Sequence, residues 1–301
     1  MSAPVGTLGY TAVVVTFRRS DALSRSLAAL LGQTSPPSLV VVVDNDPECS
    51  ARGVVDVTPC PKAVELVYLP SGENLGPAGG WARGVEWALG HATRGDWCMV
   101  LDDDDPIGDP EVSGELLTAA SAASSDVAAL GLRGAVWHAP TATLRRVMPH
   151  AGRLTPCDYL ASGGMPIYRW AVIDRFGFFD ESLFFGFEDL DLGLRLREAD
   201  LKLAVVSIDS AHRVPDTNPV RLPWREYFKT RALVTVCRRH SGVWALMVTT
   251  LRSVMIGGVL LALRDRNLAI ASARWSGWRD AMRGRLGRHR YVPSHNPAKA
   301  S

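Results

Sequence analysis

Trp97-Cys98-Met99-Val100-Leu101-Asp102-Asp103-Asp104-Asp105 places a run of buried-strand character directly before four aspartates. A short continuous apolar run suits a strand covered on both faces, and the acids stand where such a strand must emerge. Adjacent carboxylates repel one another unless cations hold them. Hard oxygen donors presented this way suit Mg²⁺ or Mn²⁺, metals that commonly bring a phosphate partner. Taken alone, the run fits a solvated acidic loop ahead of Pro106 and Pro110 equally well. The surrounding chain separates the two readings.

Upstream, Thr11–Phe17 (TAVVVTF) and Leu39–Val43 (LVVVV) are β-branched runs of strand length. Between them a helix is expected from Ser20, its cap, to about Gln33, with Leu23, Leu27, Leu30 and Leu31 on one face. Strand, helix and all-apolar strand in succession argue for a parallel α/β sheet. Ligands of such sheets sit beyond the carboxyl ends of the strands. Thr16-Phe17-Arg18, Asp44-Asn45 and Asp102–Asp105 all fall at such ends.

A third strand over Val64–Leu69 leads to a glycine-rich stretch, residues 71–80 (SGENLGPAGG), read as a loop before a helix over Trp81–His91. Amide groups at that helix start suit an anion. The spacing is neither the dinucleotide fingerprint nor a P-loop, so a plain flexible turn explains it as well. Beyond the aspartates, residues 111–125 read as a helix, Val127–Val136 as one strand, and 160–168 as a loop leading into Ile167–Phe176. The richest segment is 177–197, GFFDESLFFGFEDLDLGLRLR. A helix starting near Glu188 puts Glu188, Asp189 and Asp191 in its first turn, where they suit its dipole. Phe184, Phe185 and Phe187 beside them would desolvate a carboxyl, raise its pKa and favour general-base work. Leu203–Ile208 is a late strand, with His212 just past its carboxyl end.

A chain of 301 residues, 47% hydrophobic, has an ample core for one large or two modest units. A net charge of +2 gives no ground for a nucleic-acid partner. The five cysteines are scattered and odd in number, without CxxC spacing. Neither a zinc site nor a disulfide framework is expected, and reduced thiols in a cytoplasmic protein account for them. The N-terminal residues lack the basic-then-apolar pattern of a signal peptide. After a helix from Arg225 toward Arg239, Val243–Leu263 is apolar apart from Arg252. That length would span a bilayer, but Arg252 is costly at its centre, so an interfacial helix is expected. The arginines from Arg264 to Arg290, interleaved with Trp275 and Trp278, suit an anionic membrane surface. The plainer alternative is a C-terminal helix packed on the core with a solvated tail.

In order, VVVTFRR, VVVVDND, ENLGPAGGWARG, MVLDDDD, ASGGMPIYRW and GFFDESLFFGFEDLDLGLRL resemble glycosyltransferase family 2, from about residue 11 to 214. The resemblance implies the GT-A fold, an α/β architecture with a Rossmann-like, mostly parallel sheet flanked by helices. That domain is expected over 1–240, and a helical, membrane-associating extension over 241–301. More narrowly, the chain resembles the galactofuranosyltransferases of actinobacterial cell-wall galactan. This implies inverting transfer of galactofuranose from UDP-galactofuranose to a polyprenyl-diphosphate-linked acceptor, by a peripheral protein on the cytoplasmic face of the plasma membrane.

By the same resemblance, Thr16, Phe17, Arg18 and Asp44 would hold uracil and ribose. Asn74, Gly76, Gly79, Gly80 and Arg83 would line the diphosphate side. Asp102 and Asp103 would face the nucleotide-sugar. Asp102, Asp104 and His212 would hold a divalent metal, Mn²⁺ or Mg²⁺, with Asp105 leaving the DxD register open by one residue. Asp189 matches the catalytic base, with Glu188 and Asp191 orienting the acceptor or capping the helix. Acceptor contacts are expected from 137–168 and 224–231. A rhamnosyltransferase using dTDP-rhamnose shares these motifs, and a non-catalytic nucleotide-sugar-binding membrane subunit is the alternative of another class. The sequence leaves the oligomeric state open.

Overall fold

Tyr10–Thr16 is buried along its whole length, because the strand it forms, β1, is covered from both sides. In the computed structural model, which describes residues 9–104, 106–208 and 221–288, β1 lies inside an eight-stranded sheet. The further strands are β2 (Leu39–Asp44), β3 (Glu65–Pro70), β4 (Trp97–Asp102), β5 (Val127–Gly131), β6 (Gly134–His138), β7 (Thr143–Arg146), β8 (Thr155–Cys157), β9 (Tyr159–Leu160), β10 (Ile167–Arg169) and β11 (Lys202–Val205). The main sheet has the order β3-β2-β1-β4-β10-β5-β11-β8, and β7-β6-β9 form a smaller one. Strands β1 to β4 are parallel, and β10 runs antiparallel between β4 and β5.

The helices are α1 (Ser20–Leu31), α2 (Arg52–Val57), α3 (Gly76–Leu89), α4 (Val112–Ala122), α5 (Trp170–Phe176), α6 (Glu188–Glu198), α7 (Pro223–His240), α8 (Gly242–Thr249), α9 (Gly257–Arg264) and α10 (Leu268–Met282). Alternation along the strands divides the core. Tyr10, Ala12 and Val14 pack with Val40, Val42 and Met99 against Leu23, Leu27 and Leu30 of α1 and Leu116 of α4. Val13 and Val15 pack with Val41, Val43 and Val100 against Trp81 and Val85 of α3 and Leu192 and Leu196 of α6.

Several sequence expectations need correction. Val127–Val136 is two strands, β5 in the main sheet and β6 in the small one. Ser20 does not cap α1; Arg19 stands at that position, and the Ser20 hydroxyl donates to the Ser50 carbonyl at 3.1 Å. Helix α3 begins at Gly76, so the glycine-rich stretch is half helix rather than loop. The glycines serve packing there. A Cβ on Gly80 would stand 2.7 Å from Val15 Cγ1, and one on Gly84 2.5 Å from Val13 Cγ1. Their absence lets α3 lie directly on β1, and crowding of that kind costs about 1–3 kcal/mol in a packed core.

Register aligns the carboxyl ends. Thr16 pairs with Asp44 and Val15 with Asp102, so the ends of β1, β2 and β4 form one edge. The chain leaves β1 toward β2 on one side and reaches β4 on the other. This reversal opens the crevice in which open α/β sheets bind ligands.

The C-terminal helices close the molecule. α8, a seven-residue π-helical segment (Thr250–Ile256) and α9 make one apolar rod over Gly242–Arg264. Arg252 within it donates to the Ala142 carbonyl at 3.0 Å, pinning the rod to the domain. α10 then returns onto α7, where the buried Tyr227 hydroxyl donates to Asp280 Oδ2 at 2.9 Å. Gly277 lies so close to the Tyr227 carbonyl that no side chain would fit between them. Residues 268–282 are therefore packed against the body, and Arg274, expected to face lipid, is held by Glu226 at 2.6 Å.

Candidate active site

Two depressions meet over the carboxyl edge of the sheet. The first is lined by Thr16, Phe17, Arg19, Asn45, Asn74, Gly76 and Asp102, with Phe184, Phe185, Trp224 and Arg225 closing one side. The second is lined by Trp81, Asp102, Leu144, Tyr159, Ser162, Glu188, Asp189 and Lys229. Pro77, Asp102 and Phe185 belong to both walls. Asp102 is the hinge between them. Its carboxylate accepts from the Ser162 hydroxyl at 2.9 Å.

The aspartates after β4 diverge in role. Burial, then the charges of Asp104 and Asp103, push the Asp102 carboxyl up to about 7. Asp103 is fully buried and accepts from the Thr16 hydroxyl at 2.6 Å, while its carbonyl accepts from Ser26 at 2.7 Å. It fastens the end of β1 and the middle of α1 to the end of β4. Asp104 is exposed and paired with Arg19, which also reaches Asp103. Asp102 and Asp104 are the hard oxygen donors a divalent cation takes, and burial together with the adjacent carboxylates disfavours an ionised Asp102 that has no cation beside it. The residues present therefore fit such an ion, provided Asp104 exchanges Arg19 for it. His212 and Asp105 lie outside the described residues. Among those described, no group of three or more such ligands gathers.

At the second depression, α6 starts after two aromatic residues held at positive φ, Phe184 at 66° and Phe187 at 65°. Such conformations cost energy and concentrate at functional sites. They aim the first turn of α6 into the cleft. Glu188 is buried with Oε2 lacking a hydrogen-bond partner. Burial, then the charge of Asp189, push Glu188 up. Burial likewise pushes Asp189 up, opposed by the Leu190 amide and the Tyr159 hydroxyl. The same Asp189 charge, followed by burial, keeps Tyr159 protonated far above the usual range. A half-buried carboxylate of raised basicity beside a hydroxyl donor is equipped to take a proton.

Asp191 is different. It is 1% exposed and meets Arg239 at 2.9 Å, Arg195 at 3.1 Å and His240 at 3.2 Å. Burial opposes its ionisation, but the bonds from His240 and Arg239 outweigh that and draw it down to about 2. It joins α6 to α7 and faces no cleft.

Not every expected site residue reaches the cleft. Asp44 is fully buried, and its carboxylate accepts from the amides of Asp46 and Ala51 at 2.9 Å and from the Tyr68 hydroxyl at 3.0 Å. That leaves it folding its own loop rather than facing a base. Arg18, at a φ of 57°, turns away to Asp46 at 2.9 Å. Gly79 and Gly80 are buried inside α3, and Arg83 is exposed outside both linings. Arg19 and Asn45, each one residue beyond an expected contact, line the first depression instead. Asn45 donates to the Gly76 carbonyl at 2.9 Å and keeps a buried Oδ1 with no partner. Asn74 Oδ1 accepts from the Gly76 amide at 2.9 Å, setting the start of α3. Leu144, Tyr159, Ser162 and Lys229 fall in the ranges expected to contact an acceptor.

Residues 8–233 match the family model described as Glycosyltransferase like family 2. The chain belongs to this family. Among its relatives is the galactofuranosyltransferase GlfT1 of Mycolicibacterium smegmatis (strain ATCC 700084 / mc(2)155), 34% identical over 205 residues, covering 63% of this chain and 66% of that one. The GlfT1 of Mycobacterium tuberculosis (strain ATCC 25618 / H37Rv) is 32% identical over 220 residues, covering 68% and 69%. The chain thus spans about two thirds of the length of these relatives. Among solved structures, the mannosyltransferase PcManGT from Pyrobaculum calidifontis, in complex with GDP-Man and Mn²⁺, gives a TM-score of 0.56 at 15% identity over 93% of this chain and 88% of that one. GalNAc-T7 with UDP, GalNAc and Mn²⁺ gives 0.60 at 12% identity over 93% and 56%. The fold of this family member is GT-A, and it is a glycosyltransferase.

Proposed function

We propose that this glycosyltransferase moves galactofuranose from UDP-galactofuranose to a polyprenyl-diphosphate-linked glycan in cell-wall galactan synthesis, with inversion at the transferred carbon. The observation that carries the reading is the shared wall of the two depressions. A nucleotide-sugar seated on Thr16, Phe17, Asn45 and Asn74 has its diphosphate end at Asp102, which also borders the pocket of Asp189. Asp189 takes the proton of the acceptor hydroxyl as that oxygen bonds to the anomeric carbon, while the bond from that carbon to the diphosphate breaks on the opposite face. A single displacement needs no covalent nucleophile. A divalent cation on Asp102 and Asp104, with His212 as a further ligand, would neutralise the leaving diphosphate. Arg19, released from Asp104, remains beside it as a second positive charge.

The site on the membrane is part of the same proposal. An exposed apolar face along the α8–α9 rod supports a peripheral position on the cytoplasmic leaflet, close to a lipid-linked acceptor. The deciding experiment is calorimetric titration with UDP, dTDP and GDP, each with Mn²⁺ and then with EDTA. Metal-dependent binding selective for UDP is expected. Preference for dTDP would replace the galactofuranosyl reading with rhamnosyl transfer. Absence of nucleotide binding by folded protein would remove the donor-site assignment.

A further inference from the structure

Helix α7 carries a run of cations, and three of its five arginines and lysines have an assigned partner. Arg231 donates to the Leu183 carbonyl at 3.2 Å, Arg238 to the Ala281 carbonyl, and Arg239 pairs with Asp180 and Asp191. Arg221, just before the helix, meets Asp265 at 3.4 Å. Glu226, the acid nearest the start of α7, is taken by Arg274. Arg225 and Lys229 are the exceptions. Among the described residues neither makes a hydrogen bond or ion pair, and Arg225 Nε is buried without a partner. Each lies beside an aromatic ring, Trp224 for Arg225 at 5.3 Å and Phe185 for Lys229 at 5.9 Å.

Their placement is as specific as their lack of partners. Spaced i and i+4, they share one face of the helix. Arg225 lines the first depression and Lys229 the second, on either side of Phe185, which lines both. Lys229 is held there by its stem. Gly186, at a φ of 84°, brings the loop before α6 so close that an added Cβ would stand 3.3 Å from Lys229 Cγ. Lys229 is exposed at the mouth of the cleft, its stem against the loop that ends two residues before the acids of α6. Desolvation along the cleft lowers its affinity for its proton; Glu226 opposes this, and the neighbouring arginines add to the lowering. Two like charges kept together beside a cleft, with the nearest acid withdrawn, await an anion.

We propose that Arg225 and Lys229 form an anion subsite that holds the phosphate of a phosphorylated acceptor glycan while its hydroxyl faces Asp189. This rests on the glycosyltransfer reading above and adds to it the group by which the acceptor is recognised. Because Lys229 and Asp189 line one cavity of about 400 Å³, the accepted hydroxyl belongs to a short glycan whose phosphate stays inside the same cleft. A long polymer end, with its phosphate far away, gains nothing from the pair.

The test has a binding arm and a turnover arm. In the first, farnesyl diphosphate is titrated by calorimetry into protein saturated with UDP and Mn²⁺, so that the donor site is filled, with farnesol as the uncharged control. Binding of the diphosphate alone is expected, weakened at least tenfold by Lys229→Ala and by Arg225→Ala and restored by Lys229→Arg. No binding to the UDP-filled protein, or equal binding by the alanine variants, overturns the subsite. In the second, KM is measured for a diphosphate-linked acceptor and for the alkyl glycoside of the same glycan. Lys229→Ala should raise KM tenfold or more for the first and leave the second unchanged. A rise in donor KM with both acceptors would give the cations to the donor diphosphate instead, overturning the proposal. Intact diphosphate binding with no transfer from UDP-galactofuranose would sink the donor assignment and spare the subsite.

Discussion

Asp189 and Asp191 stand two residues apart and have opposite surroundings. Asp189 borders the cleft with a raised pKa, whereas Asp191 is buried among Arg195, Arg239 and His240 and drawn down to about 2. Replacing Asp189 with Asn keeps shape and removes the proposed base, so transfer should fall by about 10²–10⁴-fold. UDP affinity should be unchanged, and a joint loss of both would refute the assignment. At Asp191 the consequence is stability. Its lowered pKa gives about 2 kcal/mol above pH ~4, lost as pH falls toward about 2. His240 is shifted the other way: burial would lower it, but bonds to Asp191 and Glu198 raise it above its ordinary value. Its contribution is complete below pH ~6.5 and fades as pH rises through the folded pKa. Melting curves should show His240→Gln less stable than the parent in mildly acid buffer, with the gap closing toward alkaline pH. The sequence made the acids of 188–191 legible as a group but could not sort them, because a first-turn carboxylate looks the same facing a substrate or a neighbouring helix. Asp44 and Arg18 show the same ambiguity: residues at strand ends can satisfy the chain's own loop, and only the fold reveals that Asn45 and Arg19 line the first depression.

At the scale of elements, the α8–α9 rod carries Trp244, Met247, Leu251, Met255, Val259 and Leu263 on its exposed side, each at least 54% exposed. Ala245, Thr249, Val254, Gly258 and Ala262 face the protein. Leu251→Glu with Met255→Glu should abolish sedimentation with anionic vesicles and leave the melting temperature unchanged, since neither side chain is buried. Undiminished sedimentation would discard the membrane-facing role of this surface. The sequence announced the rod through its apolar length and Arg252, and the interfacial expectation follows from the cost of that charge in lipid. The π-helical segment was not legible, since nothing in TLRSVMI separates it from an ordinary helix. Helix α3 was legible only from Trp81, because glycine is a poor helix former and its value here lies in the side chains that α3 does without.

The molecule as a whole is more continuous than its sequence suggested. A composition change after residue 240 reads as the start of an appendage, yet α10 covers the buried Tyr227 and Phe228 of α7. A chain truncated after His240 would expose these rings, at a cost of about 1.5–3 kcal/mol for each large side chain. Its melting temperature should therefore drop on the order of 10 °C, measurable by calorimetry; unchanged melting would show that α10 is dispensable. The sheet and its carboxyl edge were legible from β-branched runs and their order, because strands covered on both faces leave a plain apolar signature. The return of α10 was not, because a contact between distant helices rests on Gly277 and Asp280, which local pattern does not reveal. The wall that the two depressions share has a thermodynamic consequence. With donor and acceptor placed as proposed, Asp102, Pro77 and Phe185 would settle around one substrate while forming part of the surface met by the other, so the two affinities would be linked, and linkage is reciprocal. Evolution of a new donor preference along this edge would therefore carry a change in acceptor preference with it, and the two specificities would drift together rather than independently.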